Sequence, residues 1–254
     1  MDTLFFVFRR TLTKTLRRPV VLSFSFVQPL IWMLLFGFLF ERYRLESTHV
    51  ELTYIDFLVP GVCCMTVLFG ASQSGIELVR DLQTGFLPRM LETPADRRLI
   101  MAGKVAADVT RLLGQAVIVL ALGVLLGARI YPSLSAAALA IANLVAFGVA
   151  FSSLSSSIAL LTRAQESMAV FVHLVNMPLL FTSTALVPRE QMPGFLSSAA
   201  AFNPLSLAVD SLRQALLFGE APPAMHSLLP LLVIAVALFA LASAALARTV
   251  RDRD

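Results

Sequence analysis

The chain has 254 residues, 57% of them hydrophobic and 14% charged, with a mean hydropathy of +0.81. That is too little charge to cover a soluble domain of this length, so the composition excludes an ordinary soluble globule and indicates an all-α membrane protein. The net charge of +4 comes without the aromatic–basic interleaving or zinc spacing of nucleic-acid binders, and the adjacent Cys63 and Cys64 pair only with strain.

Residues 1–19 contain LFFVFRRTLTKTLRR. At helical spacing Leu4, Phe5, Phe8, Leu12 and Leu16 share one face, and Arg10, Lys14, Arg17 and Arg18 share the other. This pattern predicts an amphipathic helix lying in a membrane interface. Its simplest role is to anchor and orient the first span; a second is to touch a cytoplasmic partner.

Six apolar runs follow, at 21–40, 57–79, 105–128, 136–162, 168–187 and 228–247. Each reaches the roughly 20 residues that a spanning helix needs. The second contains Gly70-Ala-Ser-Gln-Ser-Gly75, a small and polar stretch that lets another helix approach closely. Glu77 and Arg80 are three residues apart, as are Asp108 and Arg111, so each pair can meet on one helix face. All four sit near one end of their spans and read as structural or relay charges rather than a proton path. The fourth run is serine-rich from Ser152 to Ser157, which reads as close packing. Met65, Phe69, Gln73, Phe171, Val175, Asn176 and Leu179 are the residues available to line a passage, with plain helix packing the competing role for each.

Residues 188–227 separate the fifth and sixth runs. Their two apolar pieces, Phe195–Phe202 and Leu205–Phe218, break around Asn203-Pro204 and are too short to span. A re-entrant or interfacial helical hairpin fits them.

Orientation follows from Lys and Arg. With the N-terminus inside, the inner segments hold Arg9, Arg10, Lys14, Arg17, Arg18, Arg80, Arg89, Arg97, Arg98, Lys104, Arg163, Arg248, Arg251 and Arg253, which is 14. The outer ones hold Arg42, Arg44, Arg129, Arg189 and Arg213, which is 5. Both termini, and the loop 80–104, are therefore expected in the cytoplasm.

That loop includes RDLQTGFLPRMLETPADRR. Leu87 to Glu92 is expected to form a short helix entered through Gly85 and Pro88. A break at Glu92-Thr93 follows, and Thr93 is the expected N-cap of the next helix, with Pro94 at its first position. Phe86, Leu87, Met90 and Leu91 give the short helix an apolar side, suited to docking or to lying on the bilayer.

From Glu77 through Gly85, Pro88 and Pro94 to Gly103-Lys104, the sequence resembles the signature of ABC-2 type transporter permeases, in the flavour of drug-resistance and nodulation exporters. Asn203-Pro-Leu-Ser-Leu-Ala-Val-Asp-Ser-Leu-Arg213 resembles the family's later Asn-Pro-Leu segment. The likeness covers nearly the whole chain and departs at Phe86, where many relatives carry a small or polar residue. The resemblance implies a type V exporter-like fold of six spans, with residues 1–19 as connecting helix and 80–104 as coupling loop. It implies two permeases, identical or related, in a prokaryotic inner membrane, each served by a separate ATPase subunit that binds ATP and Mg. Phe86, Leu87, Arg89, Met90, Leu91 and Glu92, beside Arg10 and Lys14, would meet that ATPase. An amphipathic, drug-like or lipid-like cargo would pass between the permeases along spans one, two and five.

The residues themselves exclude an ATP site of the P-loop kind. The only Gly-Lys is Gly103-Lys104, followed by Val105, with Arg98 where the first glycine belongs. Two other readings remain open on sequence. Gly70-Ala-Ser72-Gln matches the weak G-x-S-x pattern of six-span intramembrane proteases, with His173 as the base. An ion-coupled carrier or channel is the other, although such proteins need charges near the midplane.

Overall fold

The computed structural model describes residues 2–17, 19–40, 44–46, 51–221 and 223–251. Arg18, Arg42 and Arg253, counted above for orientation, lie outside these residues, as does Met1 of the first helix; the side chains of Leu16 and 19–26 lie outside them too. In chain order the helices are α1 (Asp2–Leu16), α2 (Pro19–Leu39), α3 (Tyr54–Gln83), α4 (Phe86–Leu91), α5 (Arg97–Leu125), α6 (Leu134–Thr162), α7 (Gln165–Phe171), α8 (Met177–Phe181), α9 (Gly194–Phe202), α10 (Pro204–Leu217) and α11 (Ala224–Arg251). A π turn, Val172–Asn176, joins α7 to α8. The sequence reading missed one element. A hairpin pairs β1 (Arg44–Glu46) with β2 (Glu51–Thr53), with Leu45 opposite Leu52.

Among the described residues, four helices have the length and apolarity to cross a membrane: α3, α5, α6 and α11 through Arg248. The chain is a multi-pass membrane protein. The first expected run falls on α2, a 21-residue helix without a charge. The fifth differs from expectation. Its helical course starts at Gln165, widens at the π turn and stops at Phe181 instead of Val187. The next residues turn because α10 supplies polar partners for their backbone. Ser206 Oγ accepts from Thr184 N at 3.1 Å, and Arg213 Nη2 donates to Thr184 O at 3.0 Å.

α3 is the central helix, with 89% of its most apolar window buried, so α5, α6 and α10 must surround it. Close approach needs small residues there. A Cβ on Gly75 would strike Ser155 and Met168, and one on Gly61 would strike the Ala185 carbonyl. Ser152, Ser153, Ser155, Ser156 and Ser157 are all buried, as the packing reading of this serine-rich stretch requires. Asp56 fixes the start of α3. Its Oδ2 accepts from Thr53 N at 2.9 Å, and its Oδ1 accepts from Arg129 N at 2.6 Å, which ties in the α5–α6 connection.

The expected break at Asn203-Pro204 is present. Asn203 Oδ1 caps α10 by accepting from Leu205 N at 2.8 Å, while its Nδ2 donates to Leu179 O at 2.7 Å. Helix α10 is nearly enclosed by α6 and α3.

Candidate functional site

The site of interest is the end of the bundle that carries α1 and α4. Helix α4 is six residues long and starts after Gly85, whose φ of 74° is left-handed and favours glycine. The expected cap at Thr93 is not formed. Thr93 Oγ1 instead donates back to Met90 O at 2.6 Å, closing α4. Asp96 caps α5 by accepting from Arg98 N at 2.8 Å, because its carboxylate is placed to reach the first free amides.

The apolar side of α4 points into the protein. Leu87 is 3% exposed and packs with Val79, Ile100, Met101 and Leu246; Met90 and Leu91 flank the same cluster. Phe86 lies under the Arg10 guanidinium, 3.3 Å from its carbon to the ring centre. The expected docking face thus packs largely on the chain's own helices. The residues of this segment that face outward are Gln83, Thr84, Arg89, Glu92 and Thr93.

Helix α1 is fixed to this end by charge. Asp81 accepts from Arg10 Nη1 at 2.9 Å and from Lys14 Nζ at 2.6 Å. The sequence assigned Arg10 and Lys14 to a polar face but gave no sign of Asp81 as their partner. The buried stripe of α1 is Val7, Thr11 and Thr15, which lies between the two expected faces. Two of these are threonines, so hydrophobic periodicity misses them. The stripe meets α5 at Gly103, where a Cβ would lie 2.6 Å from Leu4 O and 3.1 Å from Val7 Cβ. Glu77 faces Thr15 Oγ1 at 3.5 Å; the expected Glu77–Arg80 pair is absent among the described residues, and Arg80 is exposed.

One turn further into the bundle lies a buried charge cluster. Asp108 Oδ2 accepts from Lys104 Nζ at 2.7 Å and from Ser152 Oγ at 2.9 Å, and it also bonds Ser74 Oγ. Lys104 Nζ donates in addition to Ser74 Oγ and to Ser156 Oγ, the latter at 3.1 Å. The expected Asp108–Arg111 pair is present but loose, at 4.0 Å; Arg111 Nη2 donates to Gly70 O at 3.0 Å. Lys104 is the partner that sequence reasoning missed. Its i,i+4 spacing to Asp108 was the available signal. The cluster joins α3, α5 and α6 with hydrogen bonds that hold charges away from water.

The proposed passage residues divide. Met65, Phe171 and Asn176 are buried, whereas Gln73 is exposed and Phe69, Val175 and Leu179 are half-buried. Asn176 Nδ2 donates to Ser72 Oγ at 2.6 Å, and Ser72 Oγ donates to Leu68 O at 3.3 Å. Ser72 is therefore engaged by Asn176, and His173 points outward. The Ser72–His173 protease dyad does not form, since the π turn brings Asn176 to the face that meets α3.

The family described as ABC-2 type transporter matches residues 3–217. A putative transport permease, ycf38, of Cyanophora paradoxa is 30% identical over 84% of this chain and 73% of its own length. The daunorubicin resistance ABC transporter permease protein DrrB1 of Streptomyces coeruleorubidus is 30% identical, over 80% of this chain and 70% of its own. A probable doxorubicin resistance ABC transporter permease protein, DrrC, of Mycobacterium tuberculosis is 27% identical over 88% and 79%. The chain belongs to the ABC-2 type transporter family, as a membrane permease subunit rather than the ATPase.

Proposed function

We propose that this chain spans a prokaryotic cytoplasmic membrane six times, with both termini inside, and pairs with a second permease, identical or related. In this reading it moves an amphipathic, drug-like or lipid-like cargo outward. ATP and Mg are bound by two copies of a separate ATPase subunit. Residues 188–227 form the outer re-entrant hairpin. The observation that carries the reading is the construction of α4. Its apolar side is fastened to α1, α3 and α5, and its polar side, with Arg89 and Glu92, is left outward.

A push on that polar side moves a rigid unit. Leu87, Met90 and Leu91 pass it to Ile100 and Met101 at the start of α5, and Phe86 passes it to Arg10 on α1. The Lys104–Asp108 cluster then passes it to α3 and α6. On the cargo side, Gln73 and the half-buried Phe69, Val175 and Leu179 remain accessible for a passage. So does a groove of about 420 Å³ on α2, lined by Val27, Gln28, Ile31, Trp32 and Leu35. Outward transport and drug-like cargo are supported by the resistance functions named for the relatives above.

The test is to purify the chain with its candidate ATPase subunit in lipid and measure cargo-stimulated ATP hydrolysis. Association of the two and stimulation by cargo are expected. If no ATP-binding protein associates, and changing Leu91 and Glu92 leaves export intact, the reading fails. Orientation is read separately by labelling Thr84→Cys from the inside and Ser135→Cys from the outside of sealed vesicles.

A further inference from the structure

A second feature lies at the same end of the bundle. The first residues of α5 and the last turns of α11 enclose a groove of about 710 Å³. That volume is within the range of small-molecule pockets, about 300–1,000 Å³. Its wall on α11 is formed by Phe239, Ala240, Ser243, Ala244 and Ala247, apolar but for the one serine and low along the alanines. Its rim on α5 is charged, formed by Asp96, Arg97 and Arg98.

The charges favour an anion. The Asp96 carboxylate is occupied as the α5 cap, accepting from Arg98 N. Arg97 Nη1 reaches across the groove to Ala247 O at 3.4 Å, which holds the guanidinium over its mouth. Arg98 is exposed, and so is Arg248, on α11 just beyond the groove. Three arginines against one carboxylate leave a net positive rim. The apolar wall continues along α11, whose most apolar window is only 22% buried and so faces the bilayer.

We infer that this groove binds an anionic phospholipid, with its phosphate on Arg97 and Arg98 and an acyl chain along Ala240 and Ala244. The inference rests on the membrane orientation proposed above, which puts the groove at the inner leaflet. Basic pockets between spanning helices on that side suit anionic headgroups, and each arginine near the surface contributes about fivefold in affinity. A zwitterionic lipid offers the same chain but no net charge for the rim. A partner protein or a second copy would instead need to cover the apolar length of α11.

The probe is the full chain in nanodiscs of equal parts phosphatidylglycerol and phosphatidylcholine, extracted into detergent and weighed by native mass spectrometry. The wild type is expected to retain phosphatidylglycerol over phosphatidylcholine. The Arg97→Gln/Arg98→Gln variant is expected to lose about 25-fold of that preference, fivefold for each arginine. Ala244→Phe, which fills the trough, is expected to lower retention as well. Arg129→Gln, at the opposite end, is the control and is expected to match wild type. Unfolding in pure phosphatidylcholine is measured alongside. Should the double variant unfold early there, Arg98→Gln alone takes its place with a fivefold loss expected. Unchanged preference in the arginine variant, equal loss in the control, or equal retention of both lipids overturns the inference. So does protection of the groove by a second copy or a protein partner instead of lipid. The ATPase subunit is absent from this assay, so failure of ATP coupling leaves its result untouched. Failure of the orientation shows separately, as reversed cysteine labelling.

Discussion

Arg10 stacks on Phe86, its guanidinium carbon 3.3 Å from the ring centre, while the same guanidinium donates to Asp81. One side chain of α1 thus holds both α4 and the end of α3. Cation–π contacts contribute about 0.5–2 kcal/mol, depending on how dry they are. Phe86→Leu and Arg10→Gln are each expected to weaken the coupling of ATP hydrolysis to transport. The double variant is expected to be little worse than Arg10→Gln alone, which has already lost the aromatic contact along with the bond to Asp81. A double-mutant cycle on cargo-stimulated hydrolysis checks this; simple additivity would sink it.

The two sides of α4 are expected to separate stability from partner binding. Leu87 is buried, so Leu87→Ala is expected to destabilise the permease by about 2–5 kcal/mol. Arg89→Glu and Glu92→Arg lie on the exposed side and are expected to leave the unfolding temperature within a degree or two while abolishing capture of the ATPase subunit. Thermal unfolding and pull-down on the same preparations measure both. If Leu87→Ala left stability intact, the inward assignment of this face would be wrong.

The buried cluster predicts a sign as well as a size. Asp108→Asn leaves Lys104 and Arg111 buried without their anion and is expected to cost about 3–5 kcal/mol. Lys104→Met alone leaves Asp108 with Arg111 as its cation at 4.0 Å and is expected to cost less. Combining Lys104→Met with Asp108→Asn is expected to recover part of the Asp108→Asn loss, because one of the two stranded cations is gone. Unfolding in detergent at constant pH orders the three variants. An additive double variant would show that the lysine and aspartate are not energetically paired.

Much of this was legible from the chain, and the gaps have physical reasons. The long apolar runs exposed α3, α5, α6 and α11, since hydrocarbon tolerates few polar groups. The break at Asn203-Pro204 was legible because both residues act locally. Thr93 was the wrong cap because two candidates, Thr93 and Asp96, lie three residues apart, and only the fold decides which one reaches free amides. The inward turn of Leu87 was not legible, since an apolar side looks the same whether a partner or the chain itself covers it. The Arg10–Asp81 pair joins residues 71 apart, beyond any local pattern.

Gly103 predicts a further effect. Gly103→Leu is expected to lift α1 from α5, since even a Cβ would lie 2.6 Å from Leu4 O. Faster proteolysis in residues 2–17 with the spanning helices still folded is the expected result. An unchanged digestion pattern would show that α1 tolerates the larger spacing.

The π turn at Val172–Asn176 has a consequence for how this chain tolerates a change in length. A π turn closes its hydrogen bonds one residue later than an α turn, so it stores one residue of slack. Deleting a residue from α6 would rotate everything beyond it by about 100° and scramble its buried serines. Deleting the exposed Leu174 would let the wide turn tighten to an ordinary one, while α7 and α8 each keep the face they already present. In this bundle, that turn is where a frame can slip by one without the rest losing its place.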